Sequence, residues 1–139
     1  MRVATLLRTF GVLLLLWPVV PPLLHLAKLH ELADTIAYPW SLTCHRIPDR
    51  TLSIFGSLMP MCSRCMGIDT GFGLGLLVGA PYKGPKWLWV WLAVATALML
   101  IEIQTQDMGL HPIWHSTRAL SGFLLAYPVG AALTAIADR

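Results

Sequence analysis

All three cysteines of this 139-residue chain, with an adjoining histidine, fall in one stretch: Cys44-His45 and, after a short spacer, Cys62-Ser63-Arg64-Cys65. A Cys-x-x-Cys knuckle, here preceded by Pro60 and followed by Gly67, turns two thiolates toward one point. Cys44 and His45 complete a Cys3His set of the kind that closed tetrahedral zinc sites use. Such a set around Zn(II) carries one net negative charge. Arg46, Arg50 and Arg64 stand near enough in sequence to offset it and to hydrogen-bond the sulfurs. We therefore expect a metal, zinc first, held by Cys44, His45, Cys62 and Cys65. Adjacent Cys and His ligands are geometrically awkward, which keeps His111 and His115 open as the fourth ligand.

The same residues support redox chemistry. A Cys-x-x-Cys at a helix N-terminus, with Arg64 between its members, should have a depressed thiol pKa, which favours thiolate attack. The enzyme alternative is a thiol-disulfide or quinone-linked membrane oxidoreductase using Cys62 and Cys65. Small four-helix enzymes that pass disulfides to quinones use a second cysteine pair, and here only Cys44 remains. Iron on the thiolates would point to electron transfer. Met59, Met61 and Met66 add soft donors for Cu(I), although Pro60 stands where the usual copper-carrier motif places a methionine.

The rest of the chain is membrane. It is 56% hydrophobic and 12% charged, with a mean hydropathy of +0.66, whereas an ordinary soluble domain is about 25% charged. The net charge of +3 does not imply nucleic acid, because the basic residues are scattered through loops. Three cysteines cannot form a complete intramolecular disulfide framework.

Apolar runs place the helices. The first, 9–27, carries Leu13 to Leu16 and reads as a signal anchor, with no small-residue cleavage site after the leucines; Pro18, Pro21 and Pro22 should kink its second half. An amphipathic continuation lying at the interface should follow and end before Pro39, with His25 and His30 as interfacial polar groups. Further spans are expected over 64–80, 87–106 and 117–137, with a Cys/His loop over 42–67 and a turn from Pro81 to Lys86. Trp87, Trp89 and Trp91 read as an interfacial belt. Gly67, Gly71, Gly75 and Gly79 form one stripe, and Gly122, Ala126, Gly130 and Thr134 a second. Small residues at that spacing let helix backbones approach closely in lipid, so the two striped helices should pack together or serve a homo- or hetero-oligomer. Residues 70–80 and 121–131 share six identities in eleven, a hint of two related hairpins.

The expected fold is an all-α integral membrane protein of four transmembrane helices with a cysteine-rich loop between helices 1 and 2, one domain over 1–139. Four spans put the cysteine loop and the loop between helices 3 and 4 on the same side. Arg50, Arg64, Asp69, Glu102 and Arg118 then become candidates for a polar pocket beside the metal. Asp69 lies four residues after Cys65 on the same helical face, and Glu102 is within reach of Arg118 as a helix-end ion pair. Five Lys and Arg fall on each side, so the N-terminus inside, with the cysteine loop extracytoplasmic, is a slight preference.

The pattern Cys44-His45-Arg46-x-Pro48-x-Arg50, then Pro60-x-Cys62-x-x-Cys65-x-Gly67-Ile68, then Arg118-x-x-x-Gly122 resembles the small prokaryotic multi-pass membrane proteins of domain-of-unknown-function family 2085. The resemblance covers about 42–132 and implies the membrane and the site, with no assigned activity. Family members tend to carry glutamate where Asp49 stands and an aromatic where Asp69 stands, so a role for Asp69 would not be a family property. The readings carried forward are a structural zinc site beside a polar pocket for a lipid, a quinone or an anion; the oxidoreductase; and a small accessory subunit of a larger membrane complex.

Overall fold

Four long helical stretches alternate in direction, and that alternation decides where the cysteines end up. The computed structural model describes residues 2–79 and 83–138. The first stretch comprises α1 (Arg2–Leu16), a 3-10 turn over Trp17–Val19 and α2 (Val20–Leu26). Pro18, Pro21 and Pro22 remove backbone donors here, and the expected interruption appears as that tighter turn.

After α2 the chain reverses through a Schellman motif: the Leu29 amide donates to the Leu24 carbonyl and Lys28 to His25, with Lys28 left-handed at φ 62°. α3 (His30–Ser41) therefore doubles back along α2, with Trp40 edge-on to Trp17 at 6.0 Å. It also runs through Pro39, where the sequence suggested an end. His25 and His30, expected as interfacial polar groups, face each other across this reversal at 2.9 Å.

A 3-10 turn (Pro48–Arg50) and a two-residue antiparallel hairpin, β1 (Ser53–Ile54) with β2 (Ser57–Leu58), fill the loop that the sequence left as a spacer. Its turn residues Phe55 and Gly56 both have positive φ, the conformation that tight hairpins require. The hairpin returns the chain so that Met59, Pro60 and Met61 bury beneath the loop and deliver Cys62 to the start of the next helix.

α4 (Ser63–Val78) begins at the Cys-x-x-Cys, as expected; α5 (Pro85–Asp107) and α6 (His115–Ala137) follow. The expected end of the second span at residue 80 and the start of the turn at 81 lie outside the described residues. Another Schellman motif at left-handed Gly109 closes α5, with Leu110 donating to Thr105 and Gly109 to Gln106. Among the described residues, three stretches are long and apolar enough to cross a membrane: Arg2–Leu26, Pro85–Asp107 and His115–Ala137. The 16 residues of α4 reach roughly 24 Å, short of the hydrocarbon thickness of a bilayer.

The two small-residue stripes meet, as their spacing implied. A Cβ built on Gly67 would lie 2.0 Å from the Ala119 carbonyl oxygen, one on Gly71 2.6 Å from that of Phe123, and one on Gly75 2.3 Å from that of Tyr127. The paired numbers rise together, so α4 and α6 run parallel with their backbones in contact. Gly122 and Gly130 meet Arg64 and Phe72 in the same way. Hence Gly67, Gly71 and Gly75 are covered by a helix of the same chain, while Gly79 caps α4 with φ 65°. On the other face of α4, Gly73 sits against Gly11 and Leu15 of α1, which runs antiparallel. Arg8 reaches Asp138 at 2.7 Å and ties the opposite ends of α1 and α6 together.

Trp91 does more than mark an interface. Its indole N–H donates to the Leu124 carbonyl at 2.8 Å, while Trp89 stays exposed and Trp87 stacks on Trp91 at 5.3 Å.

Candidate metal centre

Because α4 and α6 are parallel, both N-termini lie at one end of the bundle, and the cysteine loop folds over them. Neither helix carries an acidic residue in its first turn. Two positive helix ends thus face the thiols without a carboxylate to neutralise them, a field that favours anionic sulfur.

Each cysteine is placed by a different device. Cys44 sits just past α3, where its amide donates to the Trp40 carbonyl at 2.8 Å, and its side chain is buried. Cys62 caps α4 in an extended conformation (φ −69°, ψ 160°), and its amide donates to the Cys44 sulfur at 3.2 Å. Cys65 lies one turn into the helix and shares a 3.5 Å hydrogen bond with Cys62 through sulfur. Between them, fully buried Ser63 donates to the Arg50 carbonyl at 3.2 Å and pins the loop to the helix.

All three sulfurs lie within 4.8 Å of one another, and all three cysteines are free thiols. Tetrahedral zinc with bonds of about 2.3 Å separates its sulfurs by about 3.8 Å. The 3.5 Å separation of Cys62 and Cys65 is close to that and far longer than the roughly 2.05 Å of a disulfide. Donor set and spacing therefore fit a thiophilic metal. The hydrogen bond with Cys65 is the main cause that holds the Cys62 thiol down at about 4 rather than 9.0.

Other sequence-singled residues divide into those the fold gathers and those it does not. His45, Arg46, Arg50, Arg64 and Arg118 line a cavity of about 170 Å³ together with the three cysteines. His45 is exposed, and its ring lies outside the converging trio of sulfurs. His111 is engaged elsewhere: it bonds Thr105 at 3.0 Å and stacks on Trp114 at 4.7 Å. His115 keeps a buried Nδ1 without a partner at the start of α6. Asp69 lies along α4 with a buried, unpartnered carboxylate oxygen, away from the cavity lining.

The expected Glu102–Arg118 pair does not form. Glu102 instead accepts from Arg64, and Arg118, only 3% exposed, donates to Gln106. The parallel α4–α6 contact brings Arg64 across to α5 first. Gln106, the partner of Arg118, carries no sequence signal, because a neutral side chain at a helix end is unexceptional. Arg50 reaches Asp107 at 3.6 Å, on the exposed rim.

A helical membrane bundle with a thiol centre at one end is the class these features define. The chain belongs to the family described as "Predicted membrane protein (DUF2085)", whose model matches residues 44–132. It is also similar to an uncharacterized protein of Methanocaldococcus jannaschii, 34% identical over 97 residues, which are 65% of this chain and 60% of the relative. The chain thus spans less than two thirds of the length of the relative it matches. No solved structure matches it.

Proposed function

We propose that this chain is a four-span protein of a prokaryotic cytoplasmic membrane whose cysteine loop is folded by a structural zinc ion. The metal is held by Cys44, Cys62 and Cys65, with His45 swinging inward as the fourth ligand. The convergence of three sulfurs within 4.8 Å, from an inter-helix loop and a helix N-terminus, is the observation that carries this reading. Zinc there joins the end of α3 to the start of α4 and holds the arginine-lined cavity open beside it. The short α4 crosses by lying between α1 and α6, and the loop faces the extracytoplasmic side.

A second reading rests on Cys62 and Cys65 being 3.5 Å apart with Cys62 strongly acidic: the pair would cycle between dithiol and disulfide, passing two electrons and two protons to a quinone or to a partner disulfide. Metal content and free-thiol count, measured by mass spectrometry on the detergent-purified protein without a polyhistidine tag, decide between them. About one zinc per chain, lost in Cys62→Ser, supports the structural site. No metal and a reducible Cys62–Cys65 disulfide would replace it with the oxidoreductase.

A further inference from the structure

The cavity beside the cysteines is lined by four arginines, Arg46, Arg50, Arg64 and Arg118, and none of its lining residues is acidic. Two of these guanidiniums have carboxylate partners set behind or outside the cavity: Arg64 with Glu102, and Arg50 with Asp107. Arg118 is buried to 3% exposure and its guanidinium hydrogen-bonds only the neutral amide of Gln106, with no direct ion pair and its Nε unbonded; the Nε of Arg64 is buried and unbonded as well. Among the described residues Arg46 has no ion pair. Its left-handed backbone (φ 48°) bends the chain where Thr43 to Ile47 wrap the cavity. A buried guanidinium without a counter-charge costs several kcal/mol. Zinc with three thiolates supplies one negative charge, which leaves the arginines still in excess over the two carboxylates.

We propose that this cavity is a binding site for a phosphate group, seated between Arg46, Arg50 and Arg118 beside the thiol centre. A carboxylate presents two oxygens in one plane, which one guanidinium fork engages bidentately. Several guanidiniums lining one cavity match the larger set of acceptors on a phosphate, and the unbonded Nε–H of Arg118 is a donor that such a ligand completes. The positive ends of α4 and α6 add to the same field. The phosphate comes from solution or from a lipid headgroup at the membrane face. The site is defined by the cavity and its arginines and does not depend on the metal being zinc.

Inorganic phosphate, titrated against chloride at matched ionic strength, should raise the unfolding midpoint of the detergent-purified protein saturably. Arg46→Asn, on an exposed residue whose left-handed backbone asparagine tolerates, and Arg50→Gln should each weaken that response about tenfold. In a second arm, the protein is placed in phosphatidylcholine bilayers with or without phosphatidic acid. Stabilisation by phosphatidic acid alone, equally lost in the variants, assigns the site to a lipid headgroup, whereas stabilisation by free phosphate assigns it to a soluble ligand. No response to either beyond chloride, or a response that both variants retain in full, overturns the proposal. Zinc measured on the same samples separates the two readings: phosphate binding without zinc leaves the cavity assignment standing, and zinc without phosphate binding leaves only the metal centre.

Discussion

The indole N–H of Trp91 donates to the carbonyl of Leu124, the very group that Pro128, four residues on, has no N–H to satisfy. In lipid an unpaired carbonyl finds no water, so a proline inside a spanning helix needs such a partner. Trp91→Phe keeps an aromatic ring, though a smaller one, but removes the donor and should cost about 1–3 kcal/mol, read as a lower unfolding midpoint. A Trp91→Phe, Pro128→Ala double variant should regain most of it, since alanine restores the helical bond. Equal loss in the single and double variants would refute the pairing.

The α4–α6 contact makes a second expectation specific to position. Gly67→Ala and Gly71→Ala each drive a Cβ into α6 backbone, which cannot yield as a flexible side chain would. Each should destabilise by about 1–3 kcal/mol or more, while Val78→Ala, on an exposed residue of the same helix, should change little. Thermal unfolding in detergent, with zinc content as the companion measurement, would also show the cysteine centre loosening in Gly67→Ala, the position nearest to it.

Glu102 is the sole acid on Arg64 among the described residues, and both side chains are largely buried, at 12% and 15% exposure. Glu102→Leu strands a buried guanidinium and should cost about 3–5 kcal/mol. Arg64→Met with Glu102→Leu should recover most of that, because a well-packed apolar pair replaces the ion pair. If the double variant is as unstable as the single one, the pair is not the reason for the loss.

Cys62 sets a pH dependence in the metal-free protein. Folding lowers its pKa from 9.0 to about 4, so its thiolate adds stability that is fully present above pH 9. That contribution declines as the pH falls and is gone below about 4. The stability gap between wild type and Cys62→Ser should therefore narrow steadily from pH 8 to pH 5. Iodoacetamide should modify Cys62 at a nearly constant rate over pH 6 to 8, where an ordinary thiol gains about tenfold per unit. A rate rising tenfold per unit would show Cys62 to be an ordinary thiol.

Removing the proposed zinc offers a further check. Chelation should free the Cys44 end of the loop, raising proteolysis between residues 42 and 62 while leaving the helices intact, because the bundle packs through glycine contacts that need no metal. Unchanged cleavage after zinc loss would separate the metal from loop folding.

Much of the molecule was legible from local pattern. Apolar length marked the membrane helices, the spacing of four marked the helix pair that touches, and the position of Cys62 and Cys65 marked the start of α4. The number of alternating helices brought the cysteine loop and Arg118 to one end. What stayed hidden depended on which side chain wins a partner. The sequence offers Arg118 to Glu102, yet the packing of the helices gives Glu102 to Arg64 and leaves Arg118 to Gln106. Trp91 and Trp89 looked alike in a run of tryptophans, yet one fills a gap left by a proline on another helix.

The medium, the helices and the chemical types at the site follow from composition and from periodicity within one segment. Tertiary structure alone decided that α3 folds back through left-handed Lys28, that three sulfurs converge while the His45 ring stays outside, and that four arginines enclose one cavity. Those outcomes depend on distances between residues far apart in the chain. Close backbone packing of α4 on α6 fixes those distances, and no local pattern encodes them.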